Sequence, residues 1–238
     1  MSTCFIADLH LSAEEPETVE RFIRFLNEEA GEHKTLYILG DLFELWLGDT
    51  LPSSGSEPVL EALRTVTDGG TDIYVQHGNR DFLLGSGFEK QSGCKLIADP
   101  YLIGLDGRRI LLTHGDQLCT GDLSYQKYRK LIRNPLVRWT LLHLPSTVRV
   151  AIGDKLRRRS NYDKGNKTSA IMDVTEDKVR ETMREWNTRL LIHGHTHRPA
   201  LHNFELDGKS AERMVLGDWE SADNTIIYRD GSFRQLTL

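Results

Sequence analysis

Three histidines stand at alternate positions in LLIHGHTHRPA, residues 190 to 200: His193, His195 and His197. The chain has nine histidines in 238 residues, so a third of them fall in one five-residue window. On a strand, alternation would aim all three at one face. The glycine between the first two and the proline after the third predict instead that a strand ends here. His193, still inside the apolar run, is expected to pack or to make a structural hydrogen bond. His195 and His197 fall on the following turn, where side chains can serve chemistry. The same pattern of an apolar run and then a polar turn recurs along the chain. It places Asp8 and His10 after TCFIA, Asp41 after KTLYILG, Asn79 after DIYVQHG and His114 after RRILLT. Two carboxylates, one amide and four imidazoles result, with no thiolate. Oxygen and imidazole donors suit Mn²⁺, Fe²⁺ or Zn²⁺, and the set can hold two ions if one carboxylate bridges. Two divalent ions a few ångströms apart clamp a phosphate and supply hydroxide for in-line attack.

The elements that must position these residues can be read in outline. TCFIADLHL is a strand, followed by an amphipathic helix in SAEEPETVERFIRFLNEEA, where Val19, Phe22, Ile23, Phe25 and Leu26 recur near helical spacing. KTLYILGD is a second strand, EPVLEALRTVTDGG a helix, DIYVQHGNRD a third strand, RRILLTHGD a fourth and RLLIHGHTH a fifth. ERMVLGDW, NTIIYRDG and SFRQLTL read as closing strands. An α/β layered sandwich follows, with its ligand site at the carboxyl ends of the strands, where the loops converge.

The apolar fraction of 39% and charged fraction of 27% are those of a globular domain. Cys4, Cys94 and Cys119 are widely spaced and odd in number, which argues against a disulfide framework. No signal peptide or transmembrane helix is expected. The net charge is −5, yet the stretch from Leu123 to Lys167 holds twelve Lys and Arg against two Asp. That stretch has helical apolar spacing interrupted by Pro135 and Pro145 and predicts two or three helices inserted between the fourth and fifth strands. Its charge points to an anionic partner.

Taken singly, these residues are ambiguous: Asp8 could cap a helix and Asn79 could simply sit in a turn. In order, DLH at 8–10, GDLFE at 40–44, GNRD at 78–81, HGD at 114–116 and GHTH at 194–197 resemble the motifs of the calcineurin-like metallophosphoesterases. The resemblance implies an αββα sandwich with a helical cap, core residues 1–122 and 168–238, and a cap at 123–167. It also implies one ion held by Asp8, His10, Asp41 and His197, with Asp41 bridging to a second ion held by Asn79, His114 and His195. One departure matters. Many members of the family carry His after GN, a candidate acid for the leaving group, where this chain has Arg80. A fixed guanidinium can grip phosphate oxygens bidentately. It favours cleavage of a pyrophosphate, whose leaving group is already a weak base, over cleavage of an alkyl ester.

The longer strings FIADLHL, LYILGDLFELWLGD, HGNRDFLLG, HGDQLCTGD, LIHGHTHRPA and VLGDW resemble the UDP-2,3-diacylglucosamine pyrophosphatases of lipid A biosynthesis. That branch implies hydrolysis to 2,3-diacylglucosamine 1-phosphate (lipid X) and UMP by water attack on the α-phosphorus, with two Mn²⁺ ions. It implies catalytic roles for Asp41, Asn79, Arg80 and His195, and head-group contacts from Asn79, Arg80, Asp122, Ser160, Lys164, Lys167 and His195. Asp122 has a second reading as the cap of the first inserted helix. Asp81 and Asp116 could either orient metal ligands or cap turns. The mixture of arginines with Leu, Val, Ile and Trp139 in the insertion fits acyl chains, and fits peripheral docking on the cytoplasmic face of the inner membrane. Two other classes remain open at this point. One is a dimetal phosphodiesterase acting on nucleic acid or cyclic nucleotides, which the apolar insertion disfavours. The other is a non-catalytic scaffold, which the complete ligand set disfavours.

Overall fold

Neighbouring residues of the central strands face different layers, and this sorts the apolar side chains into three cores. The structure, a computed structural model, describes residues 2–166, 171, 173–219 and 224–237. In β1 (Thr3–Ile6) and β2 (Thr35–Ile38), Cys4, Ile6, Leu36 and Ile38 face a layer of helices. Phe5 and Tyr37, on the opposite face, meet Ile110, Leu112, Leu190 and Ile192 of a second sheet. These strands read as continuous apolar runs because both of their faces are buried.

The first sheet has the order β11 (Ser232–Leu236), β10 (Thr225–Arg229), β1, β2, β3 (Asp72–Gln76), β4 (Lys95–Ile97), and the second the order β5 (Tyr101–Leu105), β6 (Arg108–Thr113), β7 (Leu190–His193), β9 (Lys209–Val215), β8 (Ala200–Leu206). Strands β1 to β4 are mutually parallel. In the second sheet β6, β7 and β9 are parallel. Helices α1 (Pro16–Glu28), α2 (Glu57–Asp68) and α3 (Ser86–Ser92) cover the first sheet. Helix α7 (Glu176–Glu185) covers the second through Val179 and Met183. The layering is αββα.

Three edge pairs close through Asp-Gly turns: Asp106–Gly107, Asp207–Gly208 and Asp230–Gly231, all with positive φ. That geometry matches the twist of a two-residue hairpin. These turns join β5 to β6, β8 to β9, and β10 to β11. Strands β4, β5 and β8 and helices α3 and α7 stand outside the elements expected from the sequence. The expected fourth and fifth strands are therefore the sixth and seventh. Strand β4 has only three residues, and β5 and β8 pair along sheet edges where exposed side chains blur the apolar signal.

The basic stretch forms three helices between β6 and β7: α4 (Leu123–Ile132), α5 (Pro135–His143) and α6 (Ser146–Asn166). Pro135 begins α5, where its missing N–H is harmless, and Asn134 caps it by accepting from Leu136 N at 2.9 Å. Arg149 of α6 is buried and donates to Leu47 O at 2.7 Å and to Thr50 Oγ1 at 3.0 Å, fastening the insertion to the loop after β2. Among the described residues, no helix is long and apolar enough to cross a membrane.

Candidate metal centre

The carboxyl ends of β1, β2, β3, β6 and β7 converge, and their loops carry the residues singled out above. Asp8, His10, Asp41, His195 and His197 all adopt positive φ, between 51° and 69°. Non-glycine residues pay about 1 kcal/mol or more for that backbone, so the surrounding bonds must enforce it. Asp8 N donates to Gly40 O at 3.2 Å, His10 N to Asp41 O at 2.9 Å and Gly194 N to His114 O at 3.0 Å. Gly78 and Gly194 allow the closest approaches. A Cβ on Gly78 would run into Asp41, and one on Gly194 into the Asp8 carboxylate.

Asp8, His10 and His197 present ligand atoms within 4.8 Å of one another, and so do Asp8, Asp41 and His114. Oδ2 of Asp41 lies 3.8 Å from Nε2 of His10 and 3.8 Å from Nε2 of His114, between the two groups. Its other oxygen accepts from Arg80 N at 2.8 Å. Asn79 Oδ1 is 3.1 Å from His114 Nε2. His195 donates its backbone N–H to Asp8 Oδ2 at 2.6 Å, and its ring centroid is 4.9 Å from that of His114.

The donor set fits divalent ions on two counts. First, His10 Nδ1 lies 3.0 Å from Glu44 Oε2, His197 Nδ1 lies 2.8 Å from Asp218 Oδ2, and His114 Nδ1 lies 2.9 Å from Leu39 O. A carboxylate or carbonyl oxygen can only accept, so each Nδ1 donates and each neutral ring turns its Nε2 lone pair towards Asp8 and Asp41. Second, Asp8 Oδ1 is buried with no hydrogen-bond partner among the described residues. It lies 3.6 Å from His197 Nε2, where a cation would satisfy it.

The electrostatics describe the same demand for positive charge. Burial opposes the Asp8 carboxylate, but His197, His114 and His10 outweigh it and hold the group well below the usual range. Burial also opposes charge on His114 and His197. Asp41 and Asp8 nevertheless push His114 up to about 9, and Asp8 and Asp218 push His197 up to about 10. His195 goes the other way, down to about 4, through burial and then the neighbouring His114.

Several residues have different duties. His193 is fully buried, donates through Nδ1 to Gly194 O at 2.8 Å and meets Arg213 Nη1 at 3.2 Å through Nε2. Burial and then Arg213 lower its pKa to about 3. Asp81 accepts from Gly78 N at 2.7 Å and Leu42 N at 2.8 Å, tying two ligand loops together through backbone. Asp116 accepts from Tyr125 Oη at 2.9 Å. Asp122 caps α4, accepting from Tyr125 N at 3.0 Å, and also lines the cavity. The side chains of Ser160 and Lys164, and Lys167 altogether, lie outside the described residues. Glu44 and Asp218 had no role assigned from sequence. Asp218 ends a strand in Gly-Asp, as Asp41 does, and that repeat was the available signal.

A cavity of about 680 Å³ opens over the cluster. Its floor includes His10, Asp41, Asn79, Arg80, His195 and His197, and its far walls come from α4 and α6 through Tyr128, Leu131, Leu156 and Arg157. Arg80 reaches Glu44 Oε1 at 3.1 Å through Nη1. Arg157 pairs with Glu14 and lies 3.8 Å from Glu44. A polar, ligand-rich floor beneath partly apolar helices suits a phosphate attached to a lipid-like group.

Two apposed sheets with a carboxylate and imidazole cluster at their carboxyl ends define a metal-dependent phosphoesterase. Residues 1–199 match the calcineurin-like phosphoesterases, and the chain belongs to that family. Within the family it is 50% identical over 220 residues, 92% of either chain, to the UDP-2,3-diacylglucosamine hydrolase of Pseudomonas paraeruginosa. Proteins of the same name from Aeromonas salmonicida and Azotobacter vinelandii are 47% and 44% identical, over 98% and 100% of this chain and 92% and 98% of theirs.

Proposed function

We infer that this chain hydrolyses the pyrophosphate bond of UDP-2,3-diacylglucosamine, giving lipid X and UMP. The observation that carries the reading is the composition of one cavity, with His10, Asp41, Asn79, His195, His197 and Arg80 on its floor and the inserted helices as its far walls. Relatives named for this substrate, matching along nearly the whole chain, support it. In this reading residues 1–122 and 168–238 form the core and 123–167 the cap. Asp8, His10, Asp41 and His197 hold one ion, and Asp41, Asn79, His114 and His195 the other, with Mn²⁺ as the metal in both. When bound, two such ions supply positive charge at the phosphate and a water acidic enough to deliver hydroxide near neutral pH.

The chain's own groups complete the chemistry. Asn79 and His195 border the reacting phosphate. Arg80, held at 3.1 Å by Glu44, neutralises charge on the pyrophosphate and leaves the weakly basic sugar phosphate to depart without an imidazole acid. Asp122, Ser160, Lys164 and Lys167 hold the head group. Leu131, Leu156 and Tyr128 face the acyl chains. Leu136 and Trp139 on α5 are 71% and 59% exposed, in a stretch that holds twelve Lys and Arg against two Asp. Apolar area flanked by basic charge suits peripheral docking on the anionic cytoplasmic face of the inner membrane.

Hydrolysis in ¹⁸O-water tests the reaction. Label in UMP is the expected result, and label in the sugar phosphate would overturn attack on the α-phosphorus. Strong turnover of bis-p-nitrophenyl phosphate without UMP release from the lipid substrate would assign a general phosphodiesterase instead.

A further inference from the structure

The first cap helix does more than roof the cavity. Arg129 in the last turn of α4 and Arg133, which caps its end, reach down to two carboxylates with buried side chains in the core, Asp99 and Asp116. Arg129 Nε lies 2.9 Å from Asp116 Oδ2, and its Nη2 lies 3.4 Å from Asp99 Oδ2. Arg133 Nη2 is 3.7 Å from each of the same carboxylates. That atom also donates to two backbone carbonyls, His77 O at 3.0 Å and Gly78 O at 3.2 Å. These are the peptide units immediately before Asn79.

The other end of the network touches His114. Asp99 Oδ1 accepts from His114 N at 3.1 Å and from Thr113 Oγ1 at 2.6 Å. One cluster thus grips the loop of Asn79 through Arg133 and the loop of His114 through Asp99. Those two side chains face each other at 3.1 Å, Asn79 Oδ1 to His114 Nε2. Gly78 cannot carry a side chain without striking Asp41, so its peptide is held through backbone atoms: its N–H by Asp81 and its carbonyl by Arg133. The contact from the cap is therefore a main restraint on where Asn79 points.

We propose that Arg133 is a positioning residue for the second ion, holding the His77–Gly78 carbonyls so that Asn79 stays beside His114. Arg129 keeps Asp99 and Asp116 paired and so aligns the Arg133 guanidinium. The cap then contributes to metal affinity as well as to substrate binding, and its root on α4 belongs to the metal centre. This rests on the two-ion reading given above.

Titration of the metal-free full-length chain with Mn²⁺ alone, followed by electron paramagnetic resonance of free and exchange-coupled Mn²⁺, tests it without turnover. The expected wild-type result is two ions with a coupled signal. Arg133→Met should keep the first ion at wild-type affinity, bind the second at least about tenfold more weakly, and lose the coupled signal at limiting Mn²⁺. Arg133→Lys, which keeps the charge but not the fork, should fall between. Lys130→Met, on the exposed side of the same helix, should match wild type. Two ions at wild-type affinity in Arg133→Met, or an equal loss of both, would overturn the proposal. If Arg133→Met does not fold, as judged by circular dichroism, Arg133→Lys carries the same comparison. Fewer than two ions in the wild type would instead overturn the two-ion reading itself.

Discussion

Nδ1 of His197 lies 2.8 Å from Oδ2 of Asp218. The carboxylate fixes which ring nitrogen carries the proton and so which one faces Asp8, 3.6 Å away. Glu44 does the same for His10 at 3.0 Å. Both carboxylates are partly exposed and act on the centre through an imidazole.

Removing that orientation should weaken the site without dismantling the fold. Asp218→Asn and Glu44→Gln are each expected to lower Mn²⁺ affinity or turnover by about 10- to 100-fold, with an unchanged circular dichroism spectrum. Metal titration beside kinetics checks this; wild-type values in both variants would refute the orienting role.

Asp41 is the shared carboxylate between His10 and His114. Asp41→Ala or His10→Ala should reduce hydrolysis to the level of chelated wild type while folded protein is retained. Chelation by EDTA should abolish turnover, and added Mn²⁺ should restore it. Ion binding to the folded state alone should also raise the melting temperature, since ligand at about 100 times its Kd contributes about 2.7 kcal/mol. A scanning-calorimetry trace indifferent to Mn²⁺ would count against a metal centre here.

The exposed apolar residues of α5 should serve the membrane rather than the chemistry. Leu136→Ala with Trp139→Ala removes two large side chains, each contributing about 1 kcal/mol or more when buried in lipid. Sedimentation with phosphatidylglycerol vesicles should fall at least about tenfold, while turnover of detergent-dispersed substrate changes little. Equal binding by the double variant would remove α5 from the docking face.

His33 makes the fold sensitive to acid at a point remote from the metal centre. Burial, and then Arg229, hold its pKa below the ordinary 6.5, and Nδ1 meets Ser2 Oγ at 2.9 Å. The folded chain favours the neutral ring, whereas the unfolded chain takes up a proton below about 6.5. The stability tied to the neutral ring is therefore present above that pH and lost as pH falls below it. His33→Gln should flatten the fall in denaturant midpoint between pH 7 and 5; an unchanged slope would assign the acid sensitivity elsewhere.

Residues 190–200 illustrate how much was legible beforehand. An apolar run ending in Gly-His or Gly-Asp is a local signal, and it located β7, the turn after it and the different role of His193 without any long-range information. The same signal marked Asp8, Asp41, Asn79 and His114, because a parallel strand buried on both faces must be apolar until it reaches the carboxyl end, where ligands belong. Pro135, Pro145 and the charge run pointed to two or three inserted helices, and the structure has three. Strand β4, too short to show a period, and edge strand β8, half solvated, were not.

What local pattern could not reach was any pairing between distant residues. Glu44 beneath His10, Asp218 beneath His197 and Arg133 against the His77 and Gly78 carbonyls join segments that only packing brings together. A side chain's spacing along the chain says which face of its element it occupies, but not which other element lies opposite. That depends on two sheets closing over one core and on α4 settling above their carboxyl ends. Residue types and order were enough to name the chemistry; the fold chose which nitrogen of each histidine carries the proton and which arginine holds the loop of Asn79.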